Sequence, residues 1–123
     1  MRLRHDWYPL GTFLTRTLAA WPSPLRDSIL KQELEGLDPG LLPLREAMAR
    51  GNQVAAEPVR VLVLATGEDE DGYWARVGLL FASLVGGCQC ADDPSPLEAL
   101  PEYAELEIRI DRQTGAAHWR LRD

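Results

Sequence analysis

The spacing of apolar residues changes about halfway along the chain, from a helical to a strand-like period. Before residue 54, apolar side chains recur at intervals of three and four, which is typical of helices with one buried face. Proline and glycine divide this pattern into three predicted helices, running from Pro9 or Leu10 to Trp21, from Pro24 to about Glu35, and from Asp38-Pro39 to Gly51. A helical layer is therefore predicted over residues 1–53.

Alternation with a period of two follows residue 54 and predicts four strands. Their ranges are 59–64, Tyr73–Val85, Tyr103–Asp111 and Ala116–Leu121, with a turn at 66–72 between the first two. In the second strand the odd-numbered positions are bulkier, so that face is predicted to be buried and Trp74 lies on the opposite one. Gly78, also on the opposite face, indicates a bulge or a close approach by another backbone.

We expect these elements to form an α+β fold, with three N-terminal helices packed on one face of a four-stranded antiparallel meander sheet. The other face should be solvated, because the last two strands alternate charged residues with apolar ones. The 123 residues suit a single domain, 1–123, with a helical layer over 1–53 and an antiparallel sheet over 54–123.

Composition and charge narrow the function classes. The chain is 46% apolar and 26% charged, which is typical of a globular protein. Its net charge of −6 arises after residue 57, where six arginines are outnumbered by twelve acidic residues. A negative surface repels phosphate backbones, so nucleic acid is not an expected partner. Because no apolar run is long enough to span a bilayer and no secretory signal is recognised, we expect a cytoplasmic protein without a membrane partner.

Side chains capable of chemistry are concentrated after the second strand. Cys88 and Cys90 project to one side of an extended chain and Asp92 or Asp93 adds an oxygen, so these four residues are candidate ligands of a soft metal such as zinc. A structural zinc site normally has a second ligand pair, and neither histidine has a partner at motif spacing. The favoured interpretation is that the thiols pack and the aspartates fix a turn. No cofactor is predicted, with zinc as the alternative.

The sequence contains no phosphate-binding glycine loop, dinucleotide fingerprint or nucleophile elbow. The favoured hypothesis is a non-catalytic interaction or accessory domain that binds a protein partner or associates with itself as a homodimer. Trp74 is the candidate interaction surface, because an exposed tryptophan suggests a contact. The alternative is a metal- or thiol-dependent protein that uses the loop from Cys88 to Asp93, and an enzyme is less favoured.

The segment Gly86–Pro96 reads G-G-C-Q-C-A-D-D-P-S-P, and Glu102-Tyr103 and the hairpin Ile110–Gly115 follow it. In these pieces the chain resembles a group of small bacterial proteins that share a G-C-x-C-A-D-D-P motif, to which no function is assigned. The resemblance covers roughly the second half of the chain. Members of the group often carry a further cysteine where this chain has Ala104, so the resemblance implies neither a site nor an activity.

Overall fold

A six-stranded antiparallel sheet, curled into a half-barrel, dominates the computed structural model, which describes residues 7–85 and 99–122. The strands are β1 (Tyr8–Phe13), β2 (Gln53–Val54), β3 (Arg60–Asp69), β4 (Gly72–Leu84), β5 (Leu100–Ile110) and β6 (Ala116–Arg122). The helices are α1 (Thr15–Ala20), α2 (Arg26–Glu35) and α3 (Leu44–Ala47), with a 3-10 turn at Pro39–Leu41. No helix in these residues is long and apolar enough to cross a membrane.

The sheet is built around β4. Its order is β1-β6-β5-β4, and the far side of β4 pairs with β3 along most of its length and with β2 at its end. The β4–β5 ladder runs without interruption from Tyr73 opposite Ile110 to Ser83 opposite Leu100. All the strand pairings are antiparallel, as the alternating pattern predicts.

The predicted architecture of three helices on a four-stranded meander is wrong. The sheet has six strands. Of the two additional ones, β1 comes from residues that were assigned to the helical layer, and β2 lies across the predicted boundary between that layer and the sheet. The helices are also shorter than predicted, with six residues in α1 and four in α3. The sheet, rather than a helical layer, therefore forms most of the fold.

The first predicted helix is replaced by β1, which pairs with β6, followed by the short α1. Leu10 and Leu14 are both buried, and their spacing of four fits a helix as well as it fits this strand–helix junction. Phe13, which the helix would have buried, is 59% exposed. Pro9 and Gly11 are poor helix formers, so pairing with β6 outweighs the apolar spacing.

The third predicted helix is divided at Pro43. The pyrrolidine ring disfavours helical backbone at the preceding residue, and Leu42 is accordingly extended, with φ −88° and ψ 145°. The 3-10 turn therefore ends before Leu42, and α3 begins afresh after Pro43. The predicted turn at 66–72 is also shorter than expected, because β3 continues to Asp69 opposite Gly72.

The inner face of the sheet, which carries the odd-numbered residues of β4, holds the core as predicted. Ala75, Val77 and Leu79 have no exposed surface. The helices supply the other side of this core, and its buried helical and loop members are Leu14, Trp21, Leu30, Leu34, Leu42, Leu44 and Val59. Trp21 stacks on Tyr73 with 4.5 Å between ring centroids, which joins the end of α1 to the start of β4.

Helix α2 also protects the edge strand β3. Lys31 donates from Nζ to the carbonyl oxygen of Val61 at 2.8 Å, and Glu35 accepts from the Val61 N–H at 2.9 Å. The two side chains are themselves paired at 2.6 Å. An unpaired strand edge invites pairing with another chain, so these side chains close β3 at Val61.

Candidate binding surface

The outer face of the sheet brings together residues that are far apart in the sequence. The strand register places Trp74 opposite Arg109, and Arg76 opposite Glu107. Arg120 lies on the other side of Glu107 in β6. Trp74 and Arg76 therefore stand in neighbouring rows of one charged and aromatic surface, on the side of β4 that faces away from the core.

Two carboxylates hold three of the arginines on this face. Arg109 donates from Nη1 to both oxygens of Asp69, at 2.8 and 2.6 Å. Glu107 accepts from Arg120 at 2.7 Å and from Arg122 at 3.1 Å. The hydrogen bond from Arg109 lowers the pKa of Asp69 below its usual value. These ion pairs lie at the surface, so each contributes modestly to stability while fixing the guanidinium positions.

Two tryptophans flank the arginines. The ring of Trp7 lies 4.5 Å from the guanidinium carbon of Arg120 and 5.9 Å from that of Arg109, so both are in range for cation–π attraction. Trp74 packs directly on Gly67 of β3, where a Cβ atom would come within 2.5 Å of the indole. The Trp74 ring thus packs against the backbone at Gly67, where no side chain intervenes.

These side chains form a cleft of about 270 Å³, here called the tryptophan–arginine cleft, whose outer-face lining is Trp7, Trp74, Arg76, Glu107, Arg109 and Arg122. Within the described residues, the buried Nε of Arg76 has no hydrogen-bond partner. The cleft is therefore lined by two tryptophans and by an arginine whose Nε is unbonded within these residues.

An apolar patch of Leu62, Leu80 and Tyr103 lies further along the same face. The Tyr103 ring covers Gly78, where a Cβ atom would come within 2.7 Å of the hydroxyl oxygen. The close approach expected at Gly78 is thus made by a side chain and not by another backbone. The three patch residues are 43%, 38% and 48% exposed. Burial and the hydrogen bond to Glu105 raise the pKa of Tyr103, so it stays an uncharged phenol.

On the inner face of the sheet, a serine and a carboxylate contact each other and hold a loop in place. Glu102, at an inner-face position of β5, accepts hydrogen bonds from the Ser83 hydroxyl at 2.6 Å and from the N–H groups of Ala49, Arg50 and Gly51. Burial alone raises the pKa of Glu102, but these hydrogen bonds lower it to about 2. The carboxylate fixes the loop between α3 and β2 and is a poor proton acceptor at neutral pH.

The residues singled out from the sequence fall into two groups. Cys88, Cys90, Asp92 and Asp93 lie outside the described residues, so the metal or thiol site stays a prediction. Among the residues described, no group of three or more His, Cys, Asp or Glu side chains is arranged to hold a metal ion. Trp74 is half-buried on the outer face, at one wall of the cleft.

Sequence reasoning missed the arginines as part of a site. Their signal was present, because Trp74 and Arg76 share one face of β4 and Arg109 and Arg120 share the solvent faces of β5 and β6. Trp7 had no comparable signal, since it precedes a segment predicted as a helix.

Comparison with models of known protein families, with curated proteins and with solved structures finds no match.

Proposed function

We propose that this protein is a non-catalytic interaction domain that self-associates through the outer face of its sheet. The observation that carries the proposal is the apolar patch, where three large side chains on neighbouring strands remain between 38% and 48% exposed. Contiguous apolar surface of this kind is typical of protein contacts, and tyrosine and arginine are enriched at their centres.

A second copy of the chain is the occupant that the patch favours. An apolar patch on a two-fold axis meets its own copy and needs no complementary charge on a different partner. The other common route to a β-sheet dimer, pairing of edge strands, is opposed at Val61 by Lys31 and Glu35, which occupy its polar groups. On the other edge, Pro9 lacks the N–H that a pairing strand would need.

A catalytic role has less support. Ser83 and Glu102 have the chemical types of a nucleophile and its base, but Ser83 has no exposed surface. The carboxylate is also engaged by backbone N–H groups, which disfavours its protonation. The pair is better suited to holding the fold than to reacting with a substrate.

Sedimentation equilibrium of the full chain at micromolar concentration tests the proposal. We expect the mass of a dimer for the unmodified protein. Leu80→Glu should shift the equilibrium to the monomer by at least about tenfold, because a carboxylate would be desolvated in the apolar contact.

The matched control is Leu25→Glu, which makes the same change at a leucine that is 62% exposed beside α2. It should leave the dimer intact, and circular dichroism should show that both variants are folded. A monomeric unmodified protein, or equal effects of the two substitutions, would contradict the proposal.

A further inference from the structure

We propose that the tryptophan–arginine cleft is a binding site for a small aromatic carboxylate. The cleft adjoins the apolar patch, because Arg76 is two residues before Gly78, which the Tyr103 ring covers. None of the three patch residues lines the cleft, so the ligand and a second copy would contact different side chains. Trp74 and Leu80 are six residues apart on β4, which corresponds to roughly 20 Å along an extended strand.

Arg76 supplies the charge that selects an anion. Its Nε is buried, and no hydrogen-bond acceptor for it lies within residues 7–85 and 99–122. The nearby carboxylates are engaged, since Asp69 binds Arg109 with both oxygens and Glu107 already bonds two other arginines. Arg76 as a whole is only partly buried, so a ligand carboxylate would meet the outer nitrogens of its guanidinium, whose planar fork it matches.

The two tryptophans select a planar ring next to that carboxylate. Trp7 and Trp74 both line the cleft, and each offers the large apolar surface of an indole. Trp7 is held over Arg109 and Arg120 by cation–π contacts, and Trp74 rests on Gly67, so both rings are positioned before a ligand arrives. Aromatic rings prefer offset or edge-to-face packing, which a flat ligand can adopt against either indole.

The size and charge of the cleft limit the ligand class further. A volume of about 270 Å³ lies just below the usual range for small-molecule sites, which favours one ring with one acidic group over a nucleotide. Three arginines and one glutamate line it, so its local charge is positive although the whole chain carries −6. The negative charge of the rest of the chain disfavours the binding of polyanions. Contacts with the tryptophan rings favour a monoanion that carries an apolar ring.

Titration of the full chain with benzoate, followed by the indole N–H signals of Trp7 and Trp74 in ¹H–¹⁵N spectra, tests the site. We expect saturable binding with a dissociation constant below about 1 mM. Benzamide, which has the same ring without the charge, should bind at least about tenfold more weakly. Inorganic phosphate, which has charge without a ring, should also bind at least about tenfold more weakly.

Arg76→Gln should weaken benzoate binding at least about tenfold, because it removes the guanidinium. The matched control is Arg60→Gln, which removes an exposed arginine of the same sheet outside the cleft and should leave the affinity unchanged. Trp7→Ala provides a second variant near the start of β1, and it should weaken binding of benzoate more than that of phosphate.

Three results would overturn the assignment. One is an absence of saturation by benzoate at millimolar concentration in the folded protein. Another is equal binding of benzoate and either benzamide or phosphate, and the third is equal affinity of the Arg76→Gln and Arg60→Gln variants. Because these measurements read ligand binding to residues outside the apolar patch, a monomeric protein in sedimentation would leave their outcome unaffected.

Discussion

Neighbouring residues of β4 have very different surroundings on the two faces of the sheet. Leu79 has no exposed surface and belongs to the core, whereas Leu80, the next residue, is 38% exposed beside Tyr103. The same contrast separates Ala75 from Trp74 and Arg76. The inner face is covered by helices and holds the fold together, while the outer face carries side chains arranged for contacts. Changes on the inner face should therefore appear in stability, and those on the outer face in binding.

The largest expected effect comes from Leu79→Ala compared with Leu80→Ala. The first substitution leaves a cavity in a closed core and should lower the free energy of unfolding by about 3 kcal/mol. The second removes a partly exposed side chain and should change it by roughly 0.5 kcal/mol or less. Urea denaturation of the two variants measures both values in one experiment.

Equal losses for the two leucines would break the contrast between the faces. That result would mean that the outer face is also packed in solution. If the unfolding midpoint of the unmodified protein then rose with protein concentration, the outer face would be packed against a second copy of the chain.

The next effect concerns Glu102, the carboxylate of the inner face. Glu102→Gln should lower stability by about 2 kcal/mol, because an amide replaces an anion that accepts four hydrogen bonds. The pKa of this group is lowered from 4.5 to about 2 on folding. Its contribution to stability is therefore fully present above pH 4.5 and is lost as the pH falls from there toward 2.

Urea denaturation between pH 6 and the acid limit of folding tests this sign. The difference between the unmodified protein and the Glu102→Gln variant should shrink as the pH falls through that window. Glu70→Gln, in the exposed turn between β3 and β4, is the control and should reproduce neither the loss nor its pH dependence. A difference that grows at low pH would refute the assigned role of Glu102.

The inner face could be predicted largely from the sequence, because alternation along β4 and β5 records local burial. The alternation that turns Ala104 toward the core also places Glu102 on the inner face. A charged residue at a core-facing position therefore indicated a buried carboxylate that holds the chain in place. The pairing of β1 was not visible, since Tyr8 lies opposite Trp119 near the other end of the chain. Apolar spacing at Leu10 and Leu14 fits a helix equally well, and only that distant partner decides between the two.

The sequence could predict which residues lie on the outer face, but it could not predict which of them pair with each other. Alternation placed Arg109 and Arg120 on solvent-facing positions, where surface ion pairs were the natural expectation. It could not show that Asp69 and Glu107 would engage the other arginines while Arg76 kept an unbonded Nε. That distribution depends on the register of four strands and on Trp7, which folds back over the sheet from the start of β1.

The smallest expected effect on stability comes from Glu107→Gln on the outer face. Arg120 and Arg122 would lose their shared carboxylate, but all three side chains are about one third exposed. The free energy of unfolding should therefore change by less than about 1 kcal/mol. Benzoate binding should instead become about threefold tighter, because a negative charge leaves the cleft lining. Glu57→Gln removes the same charge from an exposed loop and should alter neither quantity. Since salt screens such charges, the gain in affinity should decline at high ionic strength, and a gain that persisted there would point to altered packing.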